Sequence, residues 1–248
     1  MLRLILCDWN GTIFRDTLEE TFFFGLCRRA MLGAIARADV RKVARLLAAG
    51  RRCWREYRLA RRRPDDVPLH IARIVEMLNA DVFRGLTRAD LASYARSYAR
   101  QIQPRIDRRL LGPLRAASDA RAVPIGVVSA GCRQGIEAAL AAAGAPFDFV
   151  VANDFRWNGD VTAGFEFTIS DNKRKVLEWV LETHGVGADE VMDVGDSPQD
   201  EQCFRMVGVP VVSFYAAAAH RRRFARDCGA LVPADQEAFE DILRRAMD

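Results

Sequence analysis

The chain has 248 residues, half of them hydrophobic, enough for one large domain or a core with a smaller second unit. Its net charge of +4 rests on arginine, with lysine only at Lys42, Lys173 and Lys175, which reads as ordinary surface usage. No targeting signal opens the chain, no apolar stretch reaches membrane length, and the six scattered cysteines lack CxxC spacing. These features point to a cytoplasmic protein with reduced thiols and exclude a spanning segment, a disulfide framework and a zinc site.

The first element is an apolar run, residues 2–7, that ends in Asp8-Trp9-Asn10-Gly11-Thr12. It reads as a buried strand delivering a carboxylate to its C-terminal edge, where ligands bind in open α/β sheets. Strand–helix alternation then stops. Residues 17–36 read as a helix, and Asp39 caps another that runs to about Ala60. Residues 63–68 break it, 69–78 resume at helical spacing, and Thr87-Arg88-Ala89-Asp90 opens a last helix with a capping pattern.

Alternation returns near Asp107. A helix to Ala122 precedes a strand over 124–128 that ends in Ser129-Ala130-Gly131, followed by a helix over 132–143 and a short strand over 147–151. Asn158-Gly159 reads as a hairpin turn between 154–157 and 161–167. A helix from Asn172 to His184, a strand leading into Gly195-Asp196-Ser197-Pro198-Gln199-Asp200, a strand over 209–214 and a helix over 237–247 complete the chain. The expected fold is α/β: a Rossmannoid three-layer core with a parallel sheet, formed by residues 1–14 and 105–248. An all-helical cap, residues 15–104, is inserted after the first strand, where it could overhang the catalytic edge.

Four elements thus stand at strand ends or helix starts: Asp8, Ser129, Lys173 and the Asp196/Asp200 pair. In this order, and with this strand context, they resemble the haloacid dehalogenase (HAD) superfamily, mostly phosphatases acting through an aspartyl-phosphate. Lys173-Arg174-Lys175-Val176-Leu177 and the preceding hairpin look most like the phosphoserine-phosphatase-like branch with a helical cap. The resemblance implies that Asp8 attacks phosphorus. It implies Mg²⁺ held by Asp8, the backbone carbonyl of Asn10 and Asp196, with Asp200 ligating through water or orienting the metal's ligands from one turn along a helix that starts after Pro198. Ser129 and the amides after Gly11 and Ala130 would bind phosphoryl oxygens, with Thr12 in the same loop. Lys173, at the helix start, would offset the clustered negative charge; Lys175, rotated round the first turn, reads as a surface residue. Asp193 lies within its strand and reads as a packing or hydrogen-bonding group.

The sequence departs from the family pattern at Asn10, where the resemblance implies a second aspartate for general acid–base work. An amide can hold geometry but cannot move that proton. Hydrolysis of substrates with good leaving groups, a long-lived phosphoenzyme used for transfer, or a proton from elsewhere all remain open. Dehalogenases of the superfamily also lack this acid, but they need no Mg²⁺, and the retained Asp196 and Asp200 argue for phosphorus chemistry.

The cap offers two further features. The branch carries a cap acid soon after the first motif; Thr17 stands there, with Glu19 and Glu20 nearby, so phosphoserine itself is not read as the substrate. Residues 41–63 hold ten basic residues and the single acid Glu56. Such a helix could line the cap, touch nucleic acid or meet an acidic membrane surface, or simply be solvated. Trp54 and Tyr57 read as cap core, and His70, His184 and His220 as isolated. The expected activity is Mg²⁺-dependent hydrolysis of a small phosphomonoester, with a phosphotransferase or a non-catalytic phospho-ligand or RNA-binding protein as alternatives. A small phosphorylated substrate is the expected partner, with no membrane and no nucleic acid; the oligomeric state is open.

Overall fold

The computed structural model describes residues 2–16, 18–62, 67–169 and 172–248. Its six-stranded sheet has the order β4-β3-β2-β1-β5-β6, formed by β1 (Leu4–Cys7), β2 (Ile125–Cys132), β3 (Phe149–Asn158), β4 (Val161–Glu166), β5 (Val191–Gly195) and β6 (Val209–Val212). All neighbours pair in parallel except β3 and β4, which form the antiparallel hairpin. One difference from the sequence expectation lies here: 147–151 and 154–157 are one strand, β3. The hydrophobic pattern weakens at Asn153-Asp154, but the ladder runs through it.

Every side chain of β1 is buried, as its unbroken apolar sequence requires of a central parallel strand. Leu4 and Leu6 share a core with Leu177 and Val180 of α7 (Lys173–His184). Ile5 and Cys7 alternate to the opposite face, so helices cover both sides. Each fully buried leucine or isoleucine there contributes about 1.5–3 kcal/mol. The core unit, Met1–Leu18, Ala95–Asn153 and Phe167–Asp248, also contains α5 (Arg108–Arg121), α6 (Arg133–Ala142), α8 (Glu201–Phe204), α9 (Ala218–Cys228) and α10 (Gln236–Met247). Arg221, Arg222 and Arg223, left as a surface turn or helix start in the sequence, lie within α9.

The second compact unit comprises Glu19–Tyr94 and Asp154–Glu166. It holds α1 (Leu18–Ala36), α2 (Val40–Arg62), α3 (Val67–Leu78), the first part of α4 (Arg88–Ile102) and the hairpin. Asp39 caps α2 through Lys42 N at 2.9 Å, and Thr87 and Asp90 bond reciprocally at the start of α4, as expected. The hairpin belongs to this unit because Phe155 and Phe165 enter a ring cluster with Phe23 and Phe83, with centroids 4.8–5.4 Å apart.

Two cap expectations are corrected. Trp54 is 57 % exposed and so is not core; helical periodicity gives two faces without saying which is covered. His70 is not isolated, since its Nδ1 lies 2.8 Å from buried Glu56 Oε2, joining α3 to α2. Of the expected helix break, residues 63–66 lie outside the described residues. All six cysteines are free thiols. No described helix is long and apolar enough to cross a membrane.

Candidate active site

Strand register brings the expected residues to one sheet edge. Cys7 pairs with Val127 and with Val194, and Asp8 N–H donates to Val194 O at 2.8 Å. Asp8 and Asp196 therefore leave the sheet side by side, next to Ser129, which the sequence placed just past its strand but which lies within β2, paired with Ala152. The chain after Asp8 folds tightly: Gly11 N–H bonds Phe14 O at 2.7 Å, and Phe14 N–H bonds Trp9 O at 2.8 Å. Buried Trp9, stacked on Phe14, anchors this turn, and its amide donates to Asp8 Oδ1 at 2.7 Å.

Gly11 has φ +69°, and a Cβ there would lie 2.3 Å from Asp196 Oδ2. Only glycine permits both the left-handed turn and that approach. Thr12, fully buried, donates its hydroxyl to Asp196 Oδ1 at 3.2 Å.

Carboxylate oxygens of Asp8, Asp196 and Asp200 lie within 4.8 Å of one another. Lys173 Nζ is 3.3 Å from Asp8 Oδ2 and also bonds Asp200 Oδ1. It stands at the first position of α7 and is buried, whereas Lys175 is exposed. Ser129, fully buried, bonds Asp8 and accepts the Gly131 N–H at 3.2 Å. The carbonyl of Ala130 accepts Asn153 Nδ2 at 2.6 Å. Asn10 is half-buried and bridges to Phe14.

Asp200 departs from its expected place. Residues 197–199 form a turn, Asp200 N–H bonds Ser197 O at 3.0 Å, and α8 begins only at Glu201. Asp200 is thus the residue that precedes α8, not one a turn inside it. Asp200 Oδ2 accepts from Asp196 N, Ser197 N and Ser197 Oγ at 2.9–3.0 Å. With Lys173 on its other oxygen, it fixes the loop that carries Asp196.

The electrostatics match this crowding. Burial first, then the neighbouring charges of Asp8 and Asp200, push Asp196 up to about 7. Burial likewise raises Asp8, against the pull of Lys173 and the Ser129 hydrogen bond. Burial works against the charge of Lys173, yet Asp200 and Asp8 hold its pKa well above the usual lysine value. Asp193, in β5, is raised by burial to about 8, and its Oδ2 has no partner.

Three carboxylates face a single ammonium, an imbalance that a hard divalent cation with oxygen ligands would relieve. The donor set of clustered carboxylate oxygens fits Mg²⁺.

Sequence reasoning missed Ser213 and Ser197. Ser213 follows β6, is fully buried, and donates to Gly11 O at 3.0 Å, holding the turn after Asp8. A small polar residue at the end of one more parallel strand was the available signal. Thr17 lies outside the described residues, and the side chains of Glu19 and Glu20 are not described.

Residues 5–205 match the family described as haloacid dehalogenase-like hydrolases. No curated protein matches the chain. Among solved structures, a protein of unknown function from Bordetella pertussis Tohama I is similar at TM-score 0.65 and 16 % identity, over 94 % of this chain and 98 % of that one. A probable phosphoserine phosphatase from Vibrio cholerae is similar at TM-score 0.64 and 14 % identity, over 98 % of this chain and 64 % of that one. Cytosolic 5'-nucleotidase IIIB, solved with cytidine, is similar at TM-score 0.61 and 15 % identity, over 98 % and 86 % respectively.

Proposed function

The chain belongs to the haloacid dehalogenase-like hydrolases, and on that footing we propose that it is a phosphatase hydrolysing a small phosphomonoester through an aspartyl-phosphate on Asp8. The observation that carries this reading is a buried strand-end carboxylate with an ammonium 3.3 Å away and two further carboxylates within 4.8 Å.

Asp8 attacks phosphorus with a carboxylate oxygen, forming an acyl-phosphate as the ester oxygen leaves; water then attacks phosphorus and returns the carboxylate. The Asp8 turn is rigid before substrate arrives, being held by Trp9, Phe14 and Ser213, so little reorganisation opposes attack. Lys173 opposes the burial that raises Asp8, favouring its carboxylate form, and reduces repulsion of an anionic substrate. Ser129 supplies a hydroxyl beside Asp8 for a phosphoryl oxygen, while the Gly131 amide would exchange its bond to Ser129 for one to phosphate.

Asp8, Asp196 and the Asn10 carbonyl would hold Mg²⁺, which when bound would neutralise charge on the transferring phosphoryl group. Asp200, with both oxygens engaged, acts by orienting the Asp196 loop. Thr12 orients Asp196 from the other side.

Asn10 favours a second reading, a phosphotransferase whose phosphoenzyme outlives one encounter with water, because the amide cannot activate that water. Phosphate release from an aryl phosphate, with and without Mg²⁺, tests both. Metal-dependent release by the wild type that Asp8→Asn abolishes is the expected result; release that an added alcohol acceptor accelerates would favour transfer. Turnover undiminished in Asp8→Asn would overturn the nucleophile assignment. A wild type that neither turns over nor becomes phosphorylated would leave a phospho-ligand-binding protein.

A further inference from the structure

We infer that the outer face of α2 is a docking surface for an anionic lipid bilayer, on which the helix lies flat. The inner face of α2 is spent on packing: Leu46, Ala49 and Glu56 are buried, and Glu56 is held by His70 of α3. The opposite face carries an exposed apolar line. Val40, Leu47 and Trp54, seven residues apart and so on one line of the helix, are 75 %, 53 % and 57 % exposed. Trp54 stacks on Tyr57 at 5.7 Å, making a flat amphipathic platform. Leu32 and Ile35, also exposed, close α1 just before the turn, where Ala38 N–H bonds Ile35 O at 2.9 Å and leads straight to Val40.

Arginines border this apolar line. Arg52 pairs with Asp81 at 3.2 Å, and Arg55 with Glu56 at 3.6 Å, which Arg73 also approaches at 3.5 Å. Arg51 and Arg58, each one turn beyond Leu47 and Trp54, are exposed, and among the described residues no carboxylate pairs with them. The face is therefore cationic and apolar at once.

That combination selects the occupant. A nucleic-acid backbone would satisfy the guanidiniums but would offer Val40 and Leu47 nothing to pack against. A second copy docked by two-fold symmetry would set arginine rows against arginine rows. A bilayer surface takes both: phosphates meet the arginines, the acyl boundary takes the aliphatic line, and Trp54 sits at headgroup depth. The sequence expectation of no membrane partner goes with the lack of a spanning segment and with reading residues 41–63 as a solvated helix; the exposed aliphatic line favours the interfacial alternative instead.

Flotation of the full chain with vesicles provides the test, using phosphatidylcholine alone and an equal mixture with phosphatidylglycerol. Binding to the mixed vesicles, absent with phosphatidylcholine and accompanied by a blue shift of tryptophan emission that Trp54→Phe removes, is expected. Each of Arg51→Gln and Arg58→Gln should lower partitioning about fivefold. Leu47→Gln should weaken binding with charge unchanged. All these positions are exposed, and unchanged unfolding temperatures and aryl phosphate turnover would show the fold intact. Failure to bind mixed vesicles, or binding insensitive to these variants, overturns the proposal. So does polyuridylate binding that is lost in the arginine variants while Leu47→Gln retains it and vesicles are ignored. A wild-type dimer that Leu47→Gln dissociates, without vesicle binding, assigns the face to a second copy instead.

Discussion

Asn10 sits in the turn after β1, bridged to Phe14, at the position where the family resemblance implies a second carboxylic acid. The proposed nucleophile and its counter-charge do not depend on that side chain, because Asp8 is held by Trp9, Ser129 and Lys173. On the proposed mechanism, what the amide removes is proton delivery to the leaving oxygen, a contribution of about 10²–10⁴-fold. The deficit should depend on the leaving group. Asn10→Asp is expected to raise kcat/KM strongly for an alkyl phosphate, approaching that range, and only slightly for an aryl phosphate, whose oxygen departs without help. The ratio of the two substrates in wild type and variant measures this. An equal change with both would mean that residue 10 acts on the nucleophile or the turn.

At the scale of elements, one side chain adds a two-point tie between the cap helices and the hairpin, beside the ring cluster and the Thr162 bonds to residues 83–86. Asn79 opens a single π-helical turn, Asn79–Phe83, after α3. Its Nδ2 donates to Phe165 O at 3.0 Å and its Oδ1 accepts Phe165 N–H at 2.5 Å, so it pairs with β4 as a strand neighbour would. Asn79→Ala strands two backbone groups, at about 1–3 kcal/mol each. The cap should then melt several degrees lower, while Asn79→Asp, which keeps the acceptor, loses less. Thermal unfolding within a degree of wild type would show that water replaces the amide at no cost.

No sequence pattern announces this contact, since the partners are 86 positions apart and each looks ordinary in its own segment. Asp39 and Thr87 were legible because capping is local: donor and acceptor lie within one helical turn. The same distinction runs through the site. Asp8 and Asp196 could be read from apolar runs that end in an acid, and Lys173 was separated from Lys175 by helical phase alone. The Glu56–His70 pair, the exposure of Trp54 and the Ser213 contact with the Asp8 turn depend on which surfaces meet, and periodicity does not encode that.

For the molecule as a whole, the site opposes folding. Asp196 is raised from 3.8 to about 7 and Asp193 to about 8, chiefly by burial, so the folded chain holds protons that the unfolded chain has released. Stability contributed by such groups is full below the unfolded value and is lost as pH rises through the folded one. Carboxylates shifted downward act elsewhere: Glu56, lowered by its hydrogen bond to His70, and Asp107, lowered by Arg109 in spite of burial, destabilise only on acidification below the ordinary carboxylate range. Lys173, raised well above 10.5, is protonated in both states across this interval and adds no slope. In chelator, the wild-type unfolding temperature is therefore expected to fall as pH rises from about 4 to about 8, and to fall less in Asp196→Asn. Mg²⁺ should restore the wild type at the alkaline end and do little at the acid end, where protons compete for the same oxygens. Identical pH profiles in the two proteins would mean that Asp196 ionises in the folded chain as readily as in water, and the crowded acids would then need no cation to coexist.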